Sequence, residues 1–192
     1  QALCLIENSK AKNICIFPLF PQFCYATTGS IARFFQNRLS QKTLNKLRWI
    51  KSYAAHSAFI ASYQKKIADF LQTKNLHPKE CIFIFSAHGV PVSFVNEGDP
   101  YQSECELSFQ TCLRAFPEAI GALTYQSKFG KGEWLVPATD YFCQNILNYS
   151  ENRKHAVLIP ISFTSDHIET LFEIEKLYLP LIASQGLSAY RC

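Results

Sequence analysis

Three short stretches carry the residue types that do proton and metal chemistry. The densest is 160-PISFTSDHIETLFEIE-175, where an apolar run hands over to Asp166, His167, Glu169, Glu173 and Glu175. Asp166, Glu169 and Glu173 are spaced i, i+3 and i+7, which predicts one shared helix face, with His167 at the same helix end. Part of this has a plain structural account. Asp166-x-x-Glu169 reads as a capping-box-like pair, and early acids suit the helix dipole. Glu173, two turns in, is left over. A line of carboxylates leading from a strand end suits the passage of a divalent cation or of protons, and repulsion among three like charges predicts a raised pKa in at least one.

The second stretch, 86-SAHGVP-91, sets His88 past a strand terminus, beside Gly89, which permits tight backbone geometry. An imidazole there titrates near neutrality, binds a metal, or simply hydrogen-bonds in a loop. Close by, 96-NEGDPY-101 reads as a turn opening a helix, with Asp99 capping and Pro100 at the first helical position. In the third stretch, 125-YQSKFGKGEWLVP-137, Gly130 and Gly132 make a flexible loop charged by Lys128 and Lys131. Trp134 there either packs flat on an aromatic ligand or folds back on the core.

The elements that must position these residues alternate along the chain. Strands are expected at 13–17, 47–50, 81–86, 119–126, 155–161 and 188–192. Helices are expected at 28–42, 55–74, 101–116, 139–149 and 166–184. The continuous apolar run 81-CIFIFS-86 suits a strand buried on both faces of a parallel sheet. Such alternation means an α/β fold, and ligands of such sheets bind outside the carboxyl ends of the strands. All three stretches fall there. The segment 75-NLHPKE-80 is the best boundary, dividing the chain into 1–75 and 76–192.

Composition narrows the function classes. At 48% hydrophobic and 18% charged, 192 residues bury a core and are not disordered. A net charge of +4 without a basic block argues against a nucleic-acid binder. The eight cysteines form no C-x-x-C pair, which argues against a zinc ribbon, an iron–sulfur loop or a thioredoxin motif. They read as reduced, packed thiols of a cytosolic protein. No signal peptide or membrane span is visible; the most apolar run, 14-ICIFPLFPQFCYA-26, is short and broken by Pro18, Pro21 and Gln22.

Taken together, the motifs resemble the ferrochelatase family. The segments 86-SAHG-89 and 98-GDPY-101, 126-QSKFG-130 with Trp134, Leu135 and Pro137, 162-SFTSDHIETLFEIE-175, 18-PLFPQF-23 and 27-TTGS-30 match it in order. The resemblance implies two doubly wound, Rossmann-like chelatase domains, the first incomplete in 1–75 and the second in 76–192. It implies insertion of Fe(II) into protoporphyrin IX to form protohaem, with porphyrin and ferrous iron as substrates and partners. By motif, His88 and Glu169 become the catalytic and metal-facing pair. Asp166, His167 and Glu173 become a proton or metal relay, and Trp134, Tyr125, Ser127 and Lys128 the porphyrin pocket.

The sequence also departs from the family pattern. In 23-FCYATTGS-30, Cys24, Tyr25 and Ala26 replace small residues, so that wall is expected to differ in shape. No clustered-cysteine tail is present, so no [2Fe–2S] cluster and no prosthetic group are expected. The chain reads as a fragment lacking the family's first strand and glycine-rich loop and its closing helix. Cytoplasmic location with peripheral membrane contact is compatible with the family. Other readings are coproporphyrin as the ring, a tetrapyrrole-binding relative without turnover, and a metal-dependent hydrolase using His88, His167 and Glu169.

Overall fold

The structure, a computed structural model, describes residues 2–192. In chain order its elements are α1 (Ala2–Glu7), β1 (Ile14–Ile16), a π-helical turn (Tyr25–Gly29), α2 (Ser30–Gln36), α3 (Gln41–Leu44), β2 (Leu47–Trp49) and α4 (Ser57–Lys74). Then follow β3 (Cys81–His88), α5 (Val92–Asn96), α6 (Tyr101–Leu113), β4 (Ile120–Gln126), α7 (Thr139–Gln144), β5 (His155–Pro160), a π-helix (Glu169–Tyr178), α8 (Leu179–Ser184) and β6 (Ser188–Arg191). The strands form two parallel sheets, a pair β1-β2 and a four-stranded sheet in the order β4-β3-β5-β6. The α/β parallel architecture expected from the alternation is thus present. No helix among the described residues is long and apolar enough to cross a membrane.

The larger sheet is a middle layer, and strand alternation sorts its side chains. Phe83, Phe85, Ala87, Leu123, Tyr125, Val157 and Ile159 pack on one face with Ile67 and Leu71 of α4 and Cys105 and Cys112 of α6. Ile82, Ile84, Ala156 and Leu158 pack on the other with Phe142 and Cys143 of α7, Ile174 and Tyr178 of the π-helix and Ile182 of α8. Covered on both faces, β3 needs no polar alternation, which is why its sequence is a continuous apolar run. Asn75 ends α4 in the left-handed conformation at φ 51°, a position Asn tolerates. Although α4 precedes the 75–80 linker, its apolar side shares the larger sheet's core.

Three expected elements differ. The 28–42 helix is interrupted after Gln36 and restarts at Gln41, because the Ser40 hydroxyl accepts the Thr43 amide and caps a new start. The 139–149 helix shortens to α7 plus a single 3-10 turn at Ile146–Asn148. The 166–184 helix begins later and is π-helical through Tyr178; the Leu179 amide, for instance, donates to the Ile174 carbonyl five residues back. β3 also runs two residues longer than expected, so His88 is its last strand residue rather than a loop residue. All eight cysteines are unpaired, and Cys24, Cys81, Cys105, Cys112 and Cys143 are buried.

Candidate active site

β3 aims the histidine. Its even-numbered side chains face the π-helix, so His88 projects there from the strand's carboxyl end. The backbone is fixed on both sides: the His88 amide donates to Ser162 Oγ at 2.8 Å, and the Tyr101 hydroxyl donates to the His88 carbonyl at 2.9 Å. His88 Nδ1 lies 2.6 Å from the Gly89 carbonyl. A carbonyl only accepts, so Nδ1 carries a proton, and in the neutral ring Nε2 presents its lone pair. That Nε2 stands 3.6 Å from Glu169 Oε2, with the two side chains 30% and 32% exposed.

Glu169 opens the π-helix, and its neighbours are tied to β4. The Gln126 side chain, 1% exposed, accepts from Ser86 Oγ at 2.8 Å and donates from Nε2 to the Glu169 carbonyl at 2.9 Å. Glu173 Oε2 is met by Gln126 Nε2 at 3.3 Å, Ser127 Oγ at 2.8 Å and the Tyr178 hydroxyl at 2.9 Å. Burial first, and then the hydrogen bond to Glu173, push the Tyr178 hydroxyl well above its ordinary value. It therefore stays a protonated donor at neutral pH.

A cavity of about 560 Å³ lies in front of this pair. That is within the usual size of small-molecule sites. His88 and His167 supply its imidazoles and Glu169 its carboxylate. Its apolar walls include Val90, Phe94, Phe129, Trp134 and Phe163, and Gln22, Cys24, Ala26 and Thr27 close it from the first half of the chain. Phe163 stands between the histidines, with ring centroids 6.4 Å from His88 and 4.8 Å from His167. Burial pushes the Cys24 thiol up to about 11, so it faces the cavity as a neutral group.

The expected site residues divide into two sets. His88, Glu169, His167 and Trp134 share the cavity, and Glu173 and Ser127 sit behind it, joined to each other. Asp166 is not on the helix face of Glu169 and Glu173. It precedes the helix, accepts from the Thr170 hydroxyl at 3.0 Å and pairs with Arg191 at 2.9 Å. The cap is correspondingly not the expected Asp166–Glu169 pair; the His167 amide donates to Thr170 Oγ1 and the Glu169 amide to His167 Nδ1. Nor does Asp166 show the raised value expected of crowded acids. Burial works against its charge, but the Thr170 hydroxyl and Arg191 guanidinium outweigh this and hold it below its usual value.

Tyr125 is on the opposite sheet face, buried in the α4–α6 core, because it alternates with Gln126 along β4. Lys128 is exposed beyond the strand end, after Ser127 turns the chain at φ 63°. Gln126, Phe129 and Phe163 were not singled out individually in the sequence. A glutamine closing the apolar strand 120-IGALTYQ-126 was the one available signal for the first.

The chain is similar to known proteins in both sequence and fold. The family described as Ferrochelatase matches residues 1–192. A protein named Ferrochelatase from Chlamydia pneumoniae is 39% identical over 100% of this chain and 57% of its own length. One of the same name from Chlamydia caviae is 43% identical over 91% of this chain and 53% of its own. The chain thus spans little more than half the length of these curated relatives. A solved structure of CbiX, described as the terminal enzyme for biosynthesis of siroheme in denitrifying bacteria, aligns with 100% of this chain and 71% of its own at TM-score 0.63. At 15% identity this shows a shared fold.

Proposed function

Because this chain belongs to the ferrochelatase family, we propose that it supplies the metal-insertion site for placing Fe(II) in protoporphyrin IX, with release of two protons, to form protohaem. The observation that carries this reading is the His88 Nε2–Glu169 Oε2 pair, 3.6 Å apart, at an aromatic-walled cavity. Insertion exchanges two pyrrole protons for one Fe(II). The site therefore needs bases at the ring centre and ligands that replace the water on the arriving metal.

His88 and Glu169 supply both. The Gly89 carbonyl holds the imidazole proton on Nδ1, leaving Nε2 to bind metal or accept a pyrrole proton. Glu169 offers a carboxylate across from it, and His167 adds a second imidazole to the cavity wall. Glu173, held by Gln126, Ser127 and Tyr178, is the next acceptor along the helix and suits a relay. Phe94, Phe129, Trp134 and Phe163 fit a flat apolar ring. Asp166 pairs with Arg191 and does not line this cavity, so it suits the relay less well than Glu173. The unpaired thiols suit a reducing cytoplasm, and exposed Phe20 and Phe129 at the cavity suit peripheral contact with a membrane carrying an apolar substrate.

The test uses the full-length protein with and without His88→Ala. Each is mixed anaerobically with Fe(II) or Zn(II) and protoporphyrin, and separately with coproporphyrin, while porphyrin absorption and fluorescence are followed. Insertion by the native protein, reduced at least about a hundredfold by the substitution, is expected for loss of a general base and ligand. The ring turned over faster identifies the substrate. Porphyrin binding without insertion in a folded native protein refutes chelation and leaves a tetrapyrrole-binding role.

A further inference from the structure

The cavity wall contributed by the first half, Gln22–Thr27, is not held by apolar packing alone. Gln22, Cys24, Ala26 and Thr27 line the cavity. Between them, the amides of Phe23 and Tyr25 point away and end on carboxylates at the start of α6. Tyr25 N–H donates to Asp99 Oδ2 at 2.6 Å, and Phe23 N–H donates to Glu104 Oε2 at 2.6 Å. The same Glu104 oxygen accepts the Ser52 hydroxyl at 2.6 Å, and Tyr53 N–H donates to the Pro21 carbonyl at 2.9 Å. One turn further along α6, Ser108 Oγ receives Gln22 Nε2 at 2.9 Å.

Asp99 is 3% exposed, and its other oxygen accepts the Tyr101 amide at 3.0 Å. Asp99 thus caps the helix start as expected, although Pro100 stands just before α6 rather than opening it, and the one carboxylate joins the first amide of α6 to the cavity wall. Hydrogen bonds from backbone N–H to a carboxylate are charge-assisted, shorter and about twice as strong as neutral ones. Tyr101 also fixes the other side of the cavity, since its hydroxyl donates to the His88 carbonyl. The start of α6 thus references this wall to the strand end that bears the histidine.

We propose that Asp99 and Glu104 form a two-point latch that positions the Gln22–Thr27 wall against the second half and so sets how tightly the cavity grips its planar ring. The ring assignment rests on the function proposed above; the latch itself does not. Both are positioning residues, and neither lines the cavity with a reacting atom. Loosening them lets the wall shift while His88 and Glu169, held by β3 and Gln126, keep their spacing.

The experiment compares Asp99→Asn, Glu104→Gln and the double variant in the full-length protein. Asn at 99 leaves one acceptor oxygen for two backbone N–H donors, so one bond is lost; Gln at 104 can keep its oxygen where Oε2 stood but without the charge, so its bonds weaken, in both cases with little change of shape. Three readouts are taken: amide hydrogen exchange at Phe23 and Tyr25, the protoporphyrin dissociation constant by fluorescence titration, and kcat for Zn(II) insertion at saturating porphyrin. The latch predicts faster exchange at those two amides, porphyrin affinity weaker by about tenfold per charge-assisted bond lost, and kcat within about twofold of native, as for loss of uniform binding.

A second pair, Tyr25→Pro against Tyr25→Ala, removes the donor instead. Cys24 is extended at φ −146° and ψ 143°, and Tyr25 is the first residue of its helical turn, so proline is tolerated there. Only the proline variant is expected to lose affinity. Faster exchange with unchanged affinity overturns the proposal, as does a parallel fall in affinity and kcat. If the native protein binds no porphyrin, the function proposed above fails, and exchange at Phe23 and Tyr25 still decides whether the latch exists.

Discussion

Gly89→Ala is the smallest change that should disturb both the stability and the chemistry of this protein. A Cβ at residue 89 would lie 2.9 Å from the Gln126 carbonyl oxygen and 3.3 Å from Trp134 Cε3. Ordinary contact begins near 3.4 Å, so the backbone contact is short by about 0.5 Å. The Gln126 carbonyl cannot give way easily. It belongs to β4, pairs in register with His88 and accepts the Gly89 amide at 2.7 Å. The strain therefore falls on residue 89, and its carbonyl, which orients His88 Nδ1, moves with it.

Overpacking of this kind costs about 1–3 kcal/mol. With a urea slope of about 2 kcal/mol/M, the unfolding midpoint should fall by roughly 0.5–1.5 M. Misplacement of a reacting group by about 1 Å costs on the order of a hundredfold in rate, so half that displacement predicts about a tenfold loss of insertion. Urea titration followed by circular dichroism, together with the porphyrin assay, checks both. A midpoint within about 0.2 M of native and insertion within about twofold would refute the claim that the β3 terminus is rigidly held and sets the imidazole's position.

Two further outcomes follow from the hydrogen bonds around the π-helix. Tyr178→Phe removes the buried donor to Glu173 and should cost about 1 kcal/mol at neutral pH by urea titration. Because burial raises the folded hydroxyl's pKa above its ordinary value of 10.0, the native protein should lose stability as pH rises above about 10, a slope that the Phe variant should lack at this position. Asp166→Asn should behave in the opposite sense. The folded carboxyl is held below its ordinary 3.8, so its contribution is present above that value and lost as pH falls through the folded one. With Asp166 55% exposed, the native advantage near pH 7 should stay below about 1 kcal/mol and vanish in acid, as thermal melts at pH 7 and pH 2 would show.

The sequence by itself determined the order and kind of the elements around the site. A continuous apolar run such as 81-CIFIFS-86 has one stable use, a strand covered on both faces, and the strand ends then fix where chemistry gathers. His88, Glu169, His167 and Trp134 were legible because each lies at such an end and belongs to a stretch of unusual residue types. Helix type was not legible. The 3.6-residue period predicted that Asp166 shares a face with Glu169 and Glu173. In the folded chain the helix begins only after Asp166, and bonds to Thr170 and to Arg191, a residue of the last strand, hold Asp166 apart from the other two.

Tyr125 and Gln126 show the same division. Both belong to one motif, but strand alternation sends the first into the α4–α6 core and the second to the π-helix, and which face is which depends on what covers the sheet. Asp99 was readable as a helix cap because capping is local, within two residues of Tyr101. Its bond to Tyr25, 74 residues away, exists only because α6 packs beside the first half of the chain. Short-range hydrogen bonds and periodicity are written into neighbouring residues. Contacts between distant segments are decided when the layers close on one another.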